Sequence, residues 1–501
     1  MKLLTEKYEN KIIGVSGCFD RILITGTLPE ICFSQGITSY FFQNHIRIFD
    51  YLDFVQPFRN KIRQNAEQIA KENGIEIEFL RKTHIRKDDI VKKILDKRGN
   101  KPGLVHIISA MESCSSFQPW HDKTSGRNYL RGRQGKCLHY YFYFIDPYLG
   151  NGFIRVPTWC PFRLQVYING HNILANKLSQ KGIKYSMLDN SFDYISDFEK
   201  AQELSDDFDV KTLHKYLDIL SRKYCPILSD FDKVYHWSIT QAEYATDIVF
   251  KNQSDLQAIY SELTATAIHT VKPDNIATFL GHKVHPLYQG EIGNNYFVRL
   301  EGSRIKHSMG KNSIKMYDKF SKILRIETTT NNVSFFKHYR EVEHRDGTNS
   351  HKQAPLKKYI YSLGVLSILL SASNRRYLEF ISAFDTKESG RKRLTKISKP
   401  KKVNDRNYKG FNLFSEEDLS ILLTIIRGEY NISGFRNKDI RMRNPYLNSG
   451  KVSRILKRLR VFGLIKRIGK TYKYYLTKLG KSLIIAGEKL KEVVLIPALD
   501  Y

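Results

Sequence analysis

Period-two and helical hydrophobic patterns alternate along this chain and predict its elements. Residues 12–15 and 21–28 are rich in β-formers and punctuated by Gly14, Gly17 and Gly26, which reads as a strand pair. Residues 36–98 carry helical spacing, with good helix formers in FRNKIRQNAEQIAKENG and DDIVKKILDKRG, each stopped by glycine. A buried strand is expected at 104–109. A β-meander is expected at 138–168, followed by a helix starting near Asn169. Residues 195–290 read as mainly helical, with HWSITQAEYATDIVF and SDLQAIYSELTATAIHTV as two of the helices. Residues 294–330 switch back to period two and predict three consecutive strands. Helices resume at 355–384.

These elements predict an α+β, multidomain chain. It has mixed α/β N-terminal (1–190) and central (191–384) domains, the latter holding the β-meander at 294–330. Residues 385–410 are polar and basic without apolar periodicity, which reads as a mobile linker that includes Arg391, Lys392 and Arg393. Residues 411–488 form a last compact module and 489–501 a tail.

That module is read as helix (EEDLSILLTIIRGEY, with Ser415 as N-cap), short helix (FRNKDIRM), basic helix (VSRILKRLR), strand (LIKRI), turn and strand (TYKYYLT). Val452, Ile455, Leu456 and Leu459 recur at helical spacing and are expected inside. Ser453, Arg454, Lys457, Arg458 and Arg460 then lie outside, with Lys466, Arg467, Lys470 and Lys473 on the strand pair. The run VSRILKRLRVFGLIKR with TYKYYLT and Gly480 resembles the winged helix-turn-helix domains of MarR-type regulators, over about 75 residues. The resemblance implies that the basic helix enters the major groove, where arginine reaches guanine edges, while the wing holds phosphates. A winged helix that docks protein through a solvated charged face is the plain alternative.

Charge strengthens the nucleic-acid reading. The chain holds 81 Lys+Arg against 51 Asp+Glu, a net of +30. Between Arg391 and Gly480 there are 24 cations against 6 acids, so these 90 residues carry more than half of the excess. A polyanion relieves the self-repulsion of such a surface. The six cysteines form no CxxC pair, which argues against a disulfide framework and against zinc. The N-terminus MKLLTEKYENK lacks the apolar run of a signal peptide, and no 18-residue apolar stretch exists. A cytoplasmic protein with no membrane partner is expected.

A second constellation lies at 302–329. Alternation puts Lys315 and Tyr317 on one face of their strand, and Arg325 and Glu327 on one face of the next. Gly302-Ser303-Arg304, Tyr317-Asp318-Lys319 and Arg325-Ile326-Glu327 together resemble the trans-acting initiators of plasmid rolling-circle replication, over roughly 30 residues. In that family a tyrosine just before Gly-Ser-Arg attacks a DNA phosphate and acidic residues hold a divalent metal. Leu300 and Glu301 stand there in this chain, so a nucleophile falls to Tyr317 or Tyr296. The resemblance implies a metal-dependent nicking or strand-transfer enzyme. Tyr317, Lys315 and Arg304 would be its catalytic groups, Glu301, Asp318 and Glu327 its ligands, and Mg²⁺ or Mn²⁺ its cofactor, with no organic cofactor. As a whole the chain resembles a bacterial family associated with mobile elements.

Weaker patterns remain. Asp20, Glu112 and Asp146 sit on or beside predicted strands, as the metal-binding carboxylates of ribonuclease-H-like nucleases and transposases do; turn capping is the bland account. Glu243 and Asp247 are four apart on a presumed helix. His282 and His285 read as a surface turn. The aromatics of LHYYFYFIDPY suit either a core or the stacking of unpaired bases. The expected partner is duplex DNA, with single-stranded DNA as a further one. A non-enzymatic transcription or partition factor and an RNA-binding protein are the rival classes.

Overall fold

The computed structural model describes residues 3–81, 85–231, 233–284, 288–299, 302–382, 397–412, 415–469 and 471–489. The chain is an α+β protein built on a large mixed sheet. Its strands are β1 (Ile12–Thr27), β2 (Ile77–Leu80), β3 (Gly103–Asp122), β4 (Arg127–Asp146), β5 (Gly150–Pro157), β6 (Leu164–Ile168), β7 (His236–Phe250), β8 (Ile292–Arg299), β9 (Gly302–Met309), β10 (Asn312–Lys319) and β11 (Ile323–Thr330). They are ordered β8-β9-β10-β11-β7-β1-β6-β5-β4-β3-β2. Two compact units divide the chain: 18–244 with 330–367, and 1–17 with 245–329 and 368–501. Among the described residues no helix is long and apolar enough to cross a membrane.

In the unit formed by 18–244 and 330–367, β3 to β6 run as an antiparallel meander, and β2 adds to β3 in parallel. The strand predicted at 104–109 extends to 20 residues, and the expected strand pair at 11–29 is the single strand β1. Tyr140, Tyr141 and Tyr143 are all buried, at 4–7% exposure. None of them is therefore placed to stack on bases. Tyr141 instead donates to Glu112 (2.6 Å), and Val91, Val105 and Ile108 pack around it and Tyr143.

Residues 236–250 correct the sequence reading: they form strand β7, not a helix. The segment holds Ala, Glu and Gln, which favour helix, but Trp237, Ile239, Thr240, Tyr244, Thr246, Ile248 and Val249 fit a pleated surface better. Thr240 seals the pairing by donating to the Leu23 carbonyl of β1 (2.9 Å).

In the other unit, β8, β9 and β10 form an antiparallel meander. Residues 295–307, read as one strand, fall in the hairpin β8–β9, so four strands stand where three were expected. Helix α1 (Gln253–Thr270) and the helix Leu363–Ile381 supply apolar cover, including Leu256, Leu263 and Leu370.

The C-terminal module comprises α2 (Glu416–Ile425), a short helix Gly428–Ser433, α3 (Asn437–Arg443), α4 (Ser449–Val461), β12 (Ile465–Arg467), β13 (Tyr474–Leu476) and α5 (Lys478–Lys489). Part of the expected linker is ordered too: Lys401–Val403 and Arg406–Tyr408 form a hairpin. Lys401 there donates to the Val461 carbonyl at the end of α4 (3.0 Å).

Candidate nucleic-acid interface and carboxylate site

Helix α4 begins at Asn448, whose side chain accepts from the Lys451 amide (2.8 Å) and satisfies one of the open amides of the first turn. Val452, Leu456 and Leu459 are buried at helical spacing, as are Ile421 and Leu422 of α2. Gly463, at φ +73°, turns the chain from α4 into β12 in a conformation that side-chain-bearing residues resist. The turn from α3 into α4 is held by Asn437, which donates to the Ser449 carbonyl and to Ser453 Oγ, both at 2.9 Å. Residue Phe435 bridges Tyr474 through two backbone bonds, adding a third short strand to the wing. These elements reproduce the order helix, turn, helix, wing that the sequence predicted.

The basic side chains of this module are used in two ways. Arg454, Lys457, Arg460 and, on β12, Lys466 are exposed and, among the described residues, pair with no carboxylate. Arg458 is different. Its guanidinium bonds both Asp418 oxygens (2.9 and 3.0 Å), the Lys409 carbonyl (2.9 Å) and the Gly410 carbonyl (2.5 Å), and it stacks 3.8 Å from the Phe411 ring centre. It ties α4 to α2 and to the segment after the Arg406–Tyr408 strand rather than facing out, because the tenth residue of this thirteen-residue helix lies beside the buried stripe. On the wing, Arg467 donates to the Thr471 carbonyl and lies over Tyr472, while Lys473 lies over Tyr475. Arg391, Lys392, Arg393 and Lys470 lie outside the described residues.

The central constellation is brought together in part. Register sets Phe297, Arg304 and Tyr317 in one row across β8, β9 and β10, with Arg304 over the Phe297 ring. Lys315 reaches Glu327 Oε1 (2.5 Å), and the Tyr317 hydroxyl donates to Oε2 of the same carboxylate (2.8 Å). Arg325 makes a bidentate pair with Asp247 (2.6 and 2.7 Å), and both residues are almost wholly buried. Asp318 lies on the other face of β10, beside Met316. It accepts from Gln257 of α1, and burial raises its carboxyl above the usual range. It therefore does not join Glu327 in one ligand set, because neighbouring residues on a strand point to opposite sides. Glu301 and Leu300 lie outside the described residues, and Tyr296 is half-exposed on β8.

In the unit 18–244 with 330–367, the strand-borne carboxylates separate. Glu112 is committed: burial works to raise its carboxyl, but Lys87 (2.7 Å), Tyr141 and Arg155 (3.0 Å) together hold it below the usual range. Asp146 caps a turn, accepting from the amides of Tyr148 and Leu149. Asp20 instead finds ligand-quality neighbours. One of its oxygens and one of Glu243 lie within 4.8 Å of each other. Oδ1 of Asp20 is 3.3 Å from the Nδ1 of buried His171 and accepts from Asn190 (2.7 Å). His171 comes from the first turn of the helix Gly170–Gln180, whose N-cap is Asn169. The close approach depends on Gly170, where an added Cβ would strike the Phe19 carbonyl. Two carboxylates this close suit a divalent cation such as Mg²⁺ or Mn²⁺.

Sequence reasoning missed Glu243 as the partner of Asp20 because it placed 236–250 on a helix. The signal was available in the β-branched and aromatic content of that segment. On a strand, Glu243 and Asp247 share a face as they would on a helix, but their neighbours are then residues of adjacent strands. His282 sits in a turn after the helix Pro273–Phe279, and His285 lies outside the described residues. No family model, no curated protein and no solved structure matches this chain.

Proposed function

We propose that the protein binds duplex DNA, with α4 in the major groove and the β12–β13 wing on the backbone. One observation carries this reading: Arg454, Lys457, Arg460 and Lys466 stand exposed and, among the described residues, without carboxylate partners on a helix-turn-helix and its wing. Unpaired exposed cations release counterions from DNA on binding, whereas cations already neutralised within the fold do not. A helix of this size fits the major groove, and its arginines have the geometry to read guanine. Fluorescence anisotropy with duplex DNA at several salt concentrations tests it. Affinity should fall steeply with salt, and Arg454→Ala with Lys457→Ala and Arg460→Ala should flatten that dependence. Binding by the triple variant equal to that of the parent contradicts the assignment.

A second reading, cleavage or transfer of a DNA strand on a mobile or extrachromosomal element, is favoured by the close carboxylates of Asp20 and Glu243. These residues would hold a divalent cation, which supplies charge neutralisation at phosphate and activation of a nucleophile. Asn190 would orient Asp20, and Tyr317 remains the nominated nucleophile of the central sheet. Supercoiled plasmid with Mn²⁺ is the assay. Asp20→Asn and Glu243→Gln should stop nicking without weakening duplex affinity, with Glu327→Gln and Tyr317→Phe tested alongside. An absence of nicking by the parent protein, with specific binding intact, favours a transcription or partition factor instead.

A further inference from the structure

Strands β3 and β4 outrun the sheet. Strand β5 pairs with β4 only from His139 to Asp146, and β2 pairs with β3 only from Ile107 to Ala110. Beyond those limits the two strands pair with each other alone, from Glu112↔Cys137 to Asp122↔Arg127, where a tight turn closes them. The result is a two-stranded ribbon of eleven residue pairs. It is anchored at one side, where the Leu130 amide donates to Thr38 and the Leu130 carbonyl accepts from Ser34.

The charge on this ribbon is one-sided. Lys123 at the turn and Arg127, Arg131, Arg133 and Lys136 on β4 are exposed, and among the described residues none of the five has an ion-pair partner. The two acids of the ribbon are already used. Asp122 accepts from the Thr124 amide and the Ser125 hydroxyl, and Glu112 is neutralised by Lys87 and Arg155. Protection of a free sheet edge does not explain the pattern. Both strands of the ribbon have an open edge here, yet residues 111–122 of β3 contain no lysine or arginine and the cations lie on β4 alone. Arg131 lies 4.6 Å from the ring centre of Trp120, itself 40% exposed, so a guanidinium and an indole form one outward plate.

We infer that this ribbon is a second DNA-contacting element, in which Arg127, Arg131 and Arg133 engage the phosphates of a duplex groove. The inference rests on the proposed duplex binding and extends it to a second surface. A two-stranded β-ribbon is one of the two shapes that the major groove admits. Arg127, Arg131 and Arg133 share a face, and at about 3.3 Å per residue they span roughly 20 Å, the length of about six base pairs.

The test compares full-length parent protein, Arg127→Gln/Arg131→Gln/Arg133→Gln, and Arg454→Ala/Lys457→Ala/Arg460→Ala by anisotropy on one duplex across a salt series. The ribbon variant should lose tenfold or more in affinity, and its plot of log K against log salt should be shallower by up to about three. Its thermal midpoint should stay that of the parent, and Arg131→Lys alone should keep most of the binding. Parental affinity and slope in the ribbon variant overturn the inference, as does a preference of the parent for single-stranded RNA at the same salt. If only the helix variant binds normally, the α4 assignment falls while the ribbon stands. If the parent binds no duplex at low salt, both fall together.

Discussion

The outward face of α4 and the polar face shared by β10 and β11 draw on the same kinds of residue, yet the fold treats them in opposite ways. On α4, Arg454, Lys457 and Arg460 are exposed with no acid paired to them among the described residues. On β10 and β11, Lys315 is tied to Glu327, and Arg325 is locked to Asp247 at 0% and 1% exposure. A tally of cations along the sequence scores these segments alike. Only the first can displace counterions from DNA; the charges of the second are spent on holding strands together. Arg458 shows the distinction within one helix, since a single residue beside the buried stripe is diverted inward to Asp418.

The largest effect that sharpens this contrast is expected at Arg325–Asp247. Asp247→Ala leaves a buried guanidinium uncompensated and should cost about 3–5 kcal/mol of stability, read from urea denaturation. A loss under about 1 kcal/mol would show that the pair is more solvated than its burial implies. Next comes Arg458→Ala, which removes a mostly buried ion pair and three carbonyl or ring partners. It should lower the stability of the C-terminal module by about 2–3 kcal/mol. After correction for unfolding, its DNA affinity should stay near the parental value. A variant that folds as the parent does but loses DNA binding would return Arg458 to the interface.

Smaller, and slower to appear, is a pH effect at His307. Burial holds its imidazole down to about 3, with Asn294 and Tyr377 on its two nitrogens. The unfolded chain takes up a proton near pH ~6.5, where the folded chain does not. This contribution is therefore complete above that pH and is lost as pH falls toward about 3, by up to about 1.4 kcal/mol per pH unit. Urea midpoints at pH 7, 5.5 and 4.5 check it, and His307→Gln should flatten the trend. The smallest effect is expected from Lys315→Ala, which should leave duplex affinity within about twofold because its charge is already met by Glu327. A tenfold loss there would mean that the β10 face touches DNA.

What was legible from sequence follows the range of the interactions. The winged module was legible because its signals are local: helical spacing at Val452, Leu456 and Leu459, a glycine at the end of α4, and a short wing beside it. The meander at 138–168 and a helix start near Asn169 were legible for the same reason. Strand β7 was not, since Ala242, Glu243 and Ala245 favour helix locally and only its partners distant in sequence, β1 and β11, settle it as a strand. The carboxylate cluster was half visible for that reason. Asp20 stood out on β1, while Glu243 and His171 become its neighbours only through sheet order and the tight approach at Gly170. Likewise, the ribbon's free length depends on where β5 and β2 stop, which no local pattern records.

The salt dependence of duplex binding by the intact protein tests the central claim most directly. The account predicts a steep, linear fall of log K with log salt, made shallower by up to about three when Arg454, Lys457 and Arg460 become alanine. A parent protein whose affinity is indifferent to salt, or a triple variant with the parental slope, would contradict it.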